Sequence, residues 1–302
     1  MKILLLGRDG QLGWELQRAL SPLGQVVSLG RNAAANPDGL CGDLENLSGL
    51  AATVRSLKPG LIVNAAAYTA VDKAEADTER AVRINAEAPG VLAEEALRCG
   101  AWLQHYSTDY VFDGSGSRAW QENDATGPLS VYGSSKLAGE KALALCPRHL
   151  IFRTSWVYAA RGGNFAKTML RLAAERDELR VIDDQTGAPT SAEMLADVSA
   201  HALRMAMAAP ELAGTYHCVA GGETSWCHYA RWVIATAGDM GWTLRTTPEK
   251  VHAITTQDYP TPARRPLNSR LNTAKLQAAF GVHLADWQQG VARMLAEIKP
   301  QA

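Results

Sequence analysis

The chain has few cysteines, and their spacing suits neither a disulfide framework nor a metal site. The five cysteines are odd in number, and no two of them are separated as in a CxxC pair. The seven histidines likewise show no HExxH or other zinc-binding spacing. We therefore expect reduced thiols in a cytoplasmic protein.

Long apolar runs and a strong excess of either charge are also missing. The N-terminal run, KILLL, ends at a glycine and charged residues and is too short for a signal peptide. No other run approaches the length of a transmembrane helix. The formal net charge of −1 lacks the basic excess that is typical of nucleic-acid-binding proteins. We expect a protein that binds neither membranes nor nucleic acid and acts on small molecules.

The chain does contain a regular alternation of short apolar runs with longer helical patterns. In the first half, the strand-like runs cover residues 2–6, 26–29, 61–67, 102–108 and 149–158. The longest helical pattern extends from about residue 74 to residue 99, and another covers about 134–145. Near-continuous apolar strands that alternate with helices predict a doubly wound parallel sheet and therefore an α/β fold.

A glycine-rich loop lies directly between the first strand and the first helical pattern. Gly7, Gly10 and Gly13 give it the spacing GxxGxxG. Glycines allow a tight turn and a close approach of the backbone to a pyrophosphate, while the helix N-terminus offers free N–H groups and a positive dipole end. Strand, loop and helix come in the order that a dinucleotide requires, which predicts a Rossmann-type fold.

The second half of the chain follows a looser pattern. Its helical stretches cover residues 165–176, 191–208, 225–237 and 286–298, and its short strands cover 179–183 and 215–219. The segment 247–272, rich in Thr, Pro and Arg, is expected to be an ordered loop. No flexible linker separates the halves. We predict a dinucleotide-binding domain over residues 1–160, to which the chain later returns, and a smaller, closely packed α/β substrate subdomain over 161–302.

The tip of the second strand bears on the choice of cofactor. A carboxylate there would accept a hydrogen bond from the ribose of NAD, whereas an arginine would pair with the 2′-phosphate of NADP. Here Gly30 occupies the tip and Arg31 follows it. We therefore predict that NADPH is accepted at least as well as NADH; the alternative is that Arg31 is only a solvated charge. Asp43 and Leu44 are expected to flank the adenine.

The stretch VYGSSK places Tyr132 one helical turn before Lys136, after the strand 102–108. Such a pair also arises by chance, but strand ends in open α/β sheets are where ligands bind. A lysine cation beside the phenol would lower its pKa from about 10. Tyr132 would then pass a proton to a carbonyl oxygen as a hydride arrives. A hydroxyl at the strand end, from Ser107 or Thr108, should hold the same oxygen, and spacing does not choose between them.

Taken together, eight motifs in chain order resemble the dTDP-4-dehydrorhamnose reductase family of the extended short-chain dehydrogenase/reductase superfamily. They are GxxGxxG, VNAAAYTAVDKAE, HYSTDYVFDG, YGSSKLAGE, FRTSWVY, NFAKTML, DQTGAPT and RPLNSRLNT. The resemblance implies NADPH- or NADH-dependent reduction of the 4-keto group of dTDP-4-dehydro-β-L-rhamnose. The product, dTDP-β-L-rhamnose, supplies bacterial cell-surface polysaccharide such as lipopolysaccharide O-antigen.

Carried over residue by residue, the resemblance assigns the catalytic hydroxyl to Thr108, the proton donor to Tyr132 and its partner to Lys136. Asp109 and Trp156 resemble positions that contact the sugar, although a buried core role is the alternative for Trp156. The cofactor contacts that the resemblance implies, in addition to the loop glycines, are Gln11, Leu12, Asp43, Leu44, Ala67, Tyr68 and Thr69. Tyr132 and Lys136 are also expected to contact the cofactor, since Lys136 can bond the nicotinamide ribose.

Two further assignments concern charged side chains. Arg265, in the segment YPTPARRPLNSR, would clamp the substrate pyrophosphate if its loop covers the site, and would otherwise be solvated. Some members of the family form dimers bridged by Mg²⁺, and Glu15, Glu193 and Glu297 resemble those ligands. The alternative is that these glutamates are solvated helix acids, since a hard cation needs several converging oxygens. A homodimer is implied on the same basis.

Two other functions remain open from the sequence. A nucleotide-sugar epimerase or dehydratase of the same superfamily would share the fold and would retain bound NAD⁺. Relatives of this reductase also serve as cofactor-binding regulatory subunits without catalytic activity. An intact set of Thr108, Tyr132 and Lys136 argues against such a silent role.

Overall fold

The computed structural model describes residues 1–299 and contains twelve strands and eleven α-helices in that range. The strands are β1 (Lys2–Leu6), β2 (Gln25–Leu29), β3 (Leu61–Asn64), β4 (Trp102–Thr108), β5 (His149–Thr154), β6 (Val157–Tyr158), β7 (Leu179–Ile182), β8 (Thr186–Gly187), β9 (Thr190–Ser191), β10 (Gly214–His217), β11 (Thr224–Ser225) and β12 (Val251–Ile254). The helices are α1 (Gln11–Leu20), α2 (Leu47–Leu57), α3 (Val71–Ala74), α4 (Thr78–Val82), α5 (Ala88–Cys99), α6 (Val131–Leu143), α7 (Phe165–Glu175), α8 (Ala192–Ala208), α9 (Trp226–Asp239), α10 (Ala274–Phe280) and α11 (Trp287–Ile298).

Six strands form one parallel sheet in the order β10–β5–β4–β3–β1–β2. The chain passes from β1 to β2 on one side and then to β3 on the other side of β1. The connections therefore diverge between β1 and β3, and the carboxyl ends of these strands open a crevice there. The prediction of a doubly wound α/β fold is confirmed.

Apolar side chains on both faces of the sheet hold the helices in place. Successive residues of β1 point to opposite faces. Leu5 packs with Leu16 and Leu195 of α1 and α8, whereas Leu4 packs with Leu92 of α5 on the other face. Burying one such leucine contributes about 2 kcal/mol. Both faces are covered, which explains why the predicted strands read as unbroken apolar runs.

A second group of elements packs beside the sheet. Helices α7, α9 and α11 share apolar clusters that contain Tyr229, Trp287 and Val251, and β7 pairs with β12. The chain also returns to the sheet from this half, because β10 pairs with β5 and α8 packs against α1. Within residues 1–299, no helix is both long enough and apolar enough to cross a bilayer.

The long helical pattern predicted over residues 74–99 is interrupted in the structure. Helices α4 and α5 are joined by a π-helical segment, Arg83–Glu87. Pro89 cannot donate a backbone hydrogen bond to the carbonyl of Asn85 four residues earlier, which removes one α-helical bond at this point. The widened turn leaves Asn85 buried, with its side chain directed at the segment that follows β3.

Three other expectations need correction. The run 61–67 is a strand only to Asn64, and the run 149–158 divides at Ser155 and Trp156, where Trp156 has φ 50°. The segment 247–272 was expected to be a loop throughout, but it contains β12. Parallel pairing with β7 stabilises this short strand, and such a contact leaves no mark in the local sequence.

Gly139→Ala should destabilise the protein, although alanine normally favours helices. A Cβ at Gly139 would collide with the carbonyl oxygen of Asn85, because α6 packs closely on the π-helical segment. We expect a loss of about 1–3 kcal/mol in the free energy of unfolding. Gly90→Ala is the matched control, since its Cβ would lie 3.5 Å from Ala142 Cβ in ordinary contact. It should gain about 0.5–1 kcal/mol. Equal effects in denaturant unfolding would contradict this account of the packing.

Candidate active site

The carboxyl ends of β1, β3, β4 and β5 open into one cavity of about 850 Å³. It brings together residues that lie far apart in the sequence, from the glycine loop to the start of α6. Three of the residues predicted to bind cofactor or substrate, Gly13, Tyr68 and Arg265, are not part of its lining. The predicted residues that do line it are Gly7, Gly10, Gln11, Leu12, Arg31, Asp43, Leu44, Ala67, Thr69, Thr108, Asp109, Tyr132, Lys136 and Trp156.

The glycine loop has the shape that a pyrophosphate needs. Gly7 has φ 88°, and a Cβ there would lie 2.8 Å from the backbone nitrogen of Ala66. A Cβ at Gly13 would collide with the carbonyl of Gly7, so Gly13 allows the helix to start close to the strand. Gly10 caps α1 without a side-chain hydrogen bond, which leaves the first N–H groups of the helix free for an anion. These residues fit a dinucleotide.

An acidic side chain that the sequence analysis did not single out lies at the tip of β2. A Cβ at Gly30 would collide with a carboxylate oxygen of Asp9, which belongs to the glycine loop. Arg31 is exposed beside it and lines the cavity. Arg8 is already engaged, since it donates to the backbone carbonyls of Ser28 and Ala35. No local pattern relates Asp9 to Gly30, because the contact depends on the pairing of β1 with β2.

Asn85 holds the loop that follows β3. Its side-chain amide donates to the carbonyl of Tyr68 at 3.0 Å and to Ser135 Oγ at 3.1 Å, and its Oδ1 accepts from the Tyr68 N–H at 2.9 Å. Tyr68 itself turns away from the cavity and donates its hydroxyl to Asp77. Asn85 therefore ties the predicted cofactor loop to α6. In the sequence, Asn85 is a polar residue in the middle of a helical pattern, four positions before a proline, and that position left open whether it bonds backbone near the site or faces water.

The predicted catalytic hydroxyl, Thr108, lies at the end of β4 beside Tyr132. Its Oγ1 donates to Asp109 Oδ1 at 3.1 Å and accepts from the Tyr110 N–H at 3.2 Å. Ser130 caps α6 by accepting from the Gly133 N–H, and so places Tyr132 in the first helical turn. Hydroxyl, phenol and carboxyl thus form one cluster on the cavity wall.

The protonation of Tyr132 differs from the expectation. Burial raises its pKa to about 12, with Asp109 adding to the rise and the hydrogen bond with Thr108 opposing it. Lys136 was expected to lower that pKa as an adjacent cation. Its Nζ instead donates to the Tyr106 carbonyl at 2.6 Å and lies 3.0 Å from His105 Nε2. The phenol is therefore an acid that keeps its proton at neutral pH.

Two further polar groups, in residues of the cavity lining, have no hydrogen-bond partner in the described chain. They are Ser107 Oγ and Thr154 Oγ1, at the ends of β4 and β5, and both residues are buried. Asp109 Oδ2 shares this property. Buried polar atoms normally have hydrogen-bond partners, so these three atoms are candidates for contact with a ligand.

Trp156 forms one wall of the cavity. Its ring stacks on Trp226, with centroids 3.5 Å apart and planes 13° from parallel. Its φ of 50° is strained for a bulky residue. Gly187 makes room for the ring, since a Cβ there would lie 3.0 Å from Trp156 Cε2. The side chain is thereby fixed from both sides.

Arg265 is bound to another part of the protein. Its Nη2 lies 2.7 Å from Asp72 Oδ2, and its Nη1 contacts Thr261 Oγ1. Asp72 belongs to α3, directly after the loop that ends at Thr69. The ion pair therefore ties the segment around residue 265 to the end of the loop that follows β3, and its contribution to stability is modest because both groups are partly exposed.

The three glutamates assigned to a metal line a second, smaller cavity of about 320 Å³. Burial, Glu193 and Glu297 raise the pKa of Glu15, against the lowering effect of Arg18. Glu193 pairs with Arg293 at 2.7 Å. Over residues 1–299, no group of three or more His, Cys, Asp or Glu side chains converges closely enough to hold a metal ion.

Comparisons with known proteins agree along the whole chain. A family model described as the RmlD substrate binding domain matches residues 1–299. The dTDP-4-dehydrorhamnose reductase of Escherichia coli K12 is 57% identical over 299 residues, which cover 99% of this chain and 98% of that protein.

Solved structures show the same likeness. A dTDP-4-dehydrorhamnose reductase of Clostridium acetobutylicum matches with a TM-score of 0.88 at 34% identity, and 99% of each chain is covered. The corresponding enzyme of Bacillus anthracis, solved in complex with NADP, matches with a TM-score of 0.87 at 31% identity. That match covers 98% of this chain and 99% of the other.

Asp109→Asn should stabilise the protein near neutral pH. Burial raises the pKa of Asp109 from 3.8 to about 6, so ionisation penalises the folded state. The folded protein binds more protons than the unfolded chain between these values. Stability of the wild type should therefore fall by about 3 kcal/mol relative to the variant as the pH rises from about 3 to about 7.

Denaturant unfolding at several pH values measures this difference. Asp38→Asn, at an exposed position, is the control and should show no such divergence from the wild type. A variant at position 109 that is no more stable than the wild type at pH 7 would contradict the proposed cost of the buried carboxylate.

Proposed function

Because the chain belongs to the dTDP-4-dehydrorhamnose reductase family, we propose that it reduces the 4-keto group of dTDP-4-dehydro-β-L-rhamnose to give dTDP-β-L-rhamnose. The observation that carries the proposal is one cavity with the glycine loop at one end and the Thr108–Tyr132 cluster at the other. NADPH and NADH are the proposed cofactors, in accord with the NADP bound to the B. anthracis relative.

Each catalytic side chain has one task in this proposal. Tyr132 gives its proton to the ketone oxygen, and its raised pKa keeps that proton in place until the oxygen gains charge. Thr108 holds the same oxygen through its hydroxyl. Lys136, one helical turn after Tyr132, helps to position the cofactor ribose. A bound nicotinamide supplies the hydride. Thr108 is preferred to Ser107 because the family resemblance assigns the catalytic hydroxyl to it, and because it acts on Tyr132 by lowering the pKa of the phenol.

Sugar recognition is assigned to the other cavity walls. We propose that Asp109 Oδ2 accepts from a sugar hydroxyl and that Trp156 covers one face of the ring. Arg265 binds the substrate pyrophosphate only when its ion pair with Asp72 breaks and its guanidinium pairs with the phosphate oxygens instead. The proposed division of the chain is a cofactor domain over 1–160, with later returns, and a mainly substrate-binding part over 161–302.

The remaining assignments concern assembly and location. We propose a cytoplasmic homodimer in which Glu15, Glu193 and Glu297 approach Mg²⁺ at the second cavity. Support comes from their shared position around one pocket and from the mutual effect on the pKa of Glu15. Carboxylate oxygens are the ligands that this cation prefers.

Tyr132→Phe should abolish reduction without loss of cofactor binding. The variant lacks the proton donor, so we expect kcat to fall at least about 100-fold. The assay mixes the protein with dTDP-4-dehydro-L-rhamnose and NADPH and follows cofactor absorbance. Tyr110→Phe is the matched control, because its ring packs against that of Tyr132, with centroids 5.4 Å apart. It should keep activity within a few fold.

A Tyr132→Phe variant as fast as the wild type would disprove the mechanism. Stoichiometric oxidation of added NADPH by the wild type distinguishes a reductase from an epimerase or dehydratase, which would regenerate its bound cofactor. A wild type that binds cofactor but oxidises none would favour the regulatory subunit.

Cofactor choice should depend on two side chains at the tip of β2. Arg31→Ala should weaken NADPH binding about tenfold and leave NADH unchanged, because only NADPH has a 2′-phosphate. Asp9→Asn should weaken the binding of NADH and strengthen the binding of NADPH. It removes a carboxylate that accepts a hydrogen bond from the ribose of NADH and repels the 2′-phosphate of NADPH. Calorimetric titration of each cofactor measures both effects. Equal changes for the two cofactors in either variant would overturn these roles.

A further inference from the structure

A chain of hydrogen-bonded side chains connects Trp226, one of the two stacked tryptophans, to the segment after β12. Trp226 Nε1 donates to Gln185 Oε1 at 3.1 Å, and Gln185 Nε2 donates to Thr256 Oγ1 at 3.0 Å. The Thr256 hydroxyl in turn donates to Asp184 Oδ1 at 2.6 Å. Gln185 is buried, with 3% of its surface exposed. We call this arrangement the Trp226–Gln185–Thr256–Asp184 chain.

Each group in this chain has a fixed role as donor or acceptor. The indole N–H of Trp226 is only a donor, so the oxygen of the Gln185 amide must face it. The NH₂ group of the amide then faces Thr256, whose hydroxyl oxygen accepts and whose hydroxyl hydrogen is left for Asp184. The backbone N–H of Thr256 also donates to Asp184, with Oδ2 at 2.9 Å. One orientation of the Gln185 amide therefore satisfies every contact in the chain.

The short antiparallel pair of β8 and β11 explains why Gln185 and Trp226, 41 positions apart in the sequence, meet in the structure. Thr186 of β8 pairs with Ser225 of β11, and Gln185 and Trp226 directly flank this pair. Ser225 also caps α9 by accepting from the His228 N–H at 3.1 Å, which places Trp226 in the first helical turn. Backbone pairing thus sets the positions of both residues, and the amide fixes the rotation of the indole ring.

We infer that Gln185 is a positioning residue for the cavity wall, because it fixes the indole of Trp226 on which the ring of Trp156 stacks. Gln185 is not part of the cavity lining, whereas both tryptophans are, so it acts through them. The effect on substrate affinity rests on the proposed function, in which Trp156 covers one face of the sugar. The positioning of the two rings does not depend on that function.

Trp156 needs this support because its own backbone does not favour its position. A bulky residue at φ 50° is strained, and such a conformation persists only where the surroundings enforce it. Gly187 leaves room for the ring, and Trp226 supplies the stacked face at 3.5 Å. Phe165 also packs on Trp226, with planes tilted by 50°, but an apolar contact is not directional. The hydrogen bond from the indole to Gln185 is the directional contact that holds the stack.

Nitrogen-15 NMR of tryptophan-labelled protein tests the ring positions without any assay of function. Gln185→Leu keeps a side chain of similar size but removes both hydrogen-bonding groups. It should make the Trp226 indole N–H exchange with solvent at least about tenfold faster than in the wild type. The indole resonance of Trp156 should shift as well, because its stack on Trp226 loosens. A Trp156 resonance that does not move would overturn the inference.

Steady-state kinetics test the consequence for the substrate. The proposed wall contacts the sugar both before and during reduction, so Gln185→Leu should raise KM for the keto-sugar about tenfold and leave kcat within about twofold. KM for NADPH should change less than about twofold, because the hydrogen bonds of the chain run to residues other than those predicted to bind cofactor. A merely structural role would lower kcat without separating the two substrates, and that result would contradict the inference.

Thr256→Val and Thr256→Ser form a matched pair outside the cavity lining, and they keep the inference testable if Gln185→Leu folds poorly. Valine removes the hydroxyl that orients the amide, so KM for the keto-sugar should rise about threefold. Serine retains the hydroxyl and should match the wild type. Equal KM values for the two variants would count against the role of the chain.

A double-mutant cycle shows whether Gln185 acts through Trp226. In a Trp226→Phe background, Gln185→Leu should change KM for the keto-sugar less than about twofold, because phenylalanine has no N–H for the amide to hold. The same KM effect of Gln185→Leu in both backgrounds would refute the inference. If the wild type reduced no keto-sugar, the proposed function would fail, while the NMR measurement would still decide whether Gln185 positions the two rings.

Discussion

The register of β4 against its two neighbours is the constraint on which the site depends. Thr108 pairs with Thr154 of β5, and His105 pairs with Asn64 of β3. Successive side chains of a strand point to opposite faces, so a slip of one residue would move Thr108 to the other face of the sheet. The same slip would separate His105 from Lys136. Apolar side chains buried on both faces of the sheet oppose any such change.

Helix α6 supplies the second half of the site, and three contacts set its rotation. Ser130 caps its first turn, Gly139 packs against the carbonyl of Asn85, and Glu140 is bound by Arg153. The last of these is a buried ion pair, whose net effect on stability is small because both charges lose their hydration. The ion pair instead fixes the orientation of α6. It holds the helix so that Tyr132 and Lys136 face β4 together.

Much of the fold followed from the sequence, because buried parallel strands are long apolar runs and the glycine loop has a required order. The strand 102–108 has the predicted ends, and most of the predicted cavity residues line one space. The short elements did not follow. Helix α10 and strand β12 owe their stability to packing and pairing with distant segments, which a local pattern does not show.

The protonation and hydrogen bonds of the site residues were harder to predict than which residues line the site. Spacing placed Lys136 near Tyr132, but it could not show that burial dominates the pKa of the phenol. Nor could it show that the lysine bonds to His105. The roles of Asp9 and Asn85 depend on contacts across 21 and 17 positions of the chain respectively, between Asp9 and Gly30 and between Asn85 and Tyr68. Contacts between residues this far apart in sequence depend on how the strands and helices pack, and no local motif shows them.

The stacked pair of Trp156 and Trp226 has one more consequence. Two indole rings whose centroids lie 3.5 Å apart share their excited states, so their absorption and emission differ from those of isolated tryptophans. Both rings line the cavity, and a sugar that rests against Trp156 changes the surroundings of the pair. The protein therefore contains its own optical probe, located where the substrate is proposed to bind and independent of any chemical label.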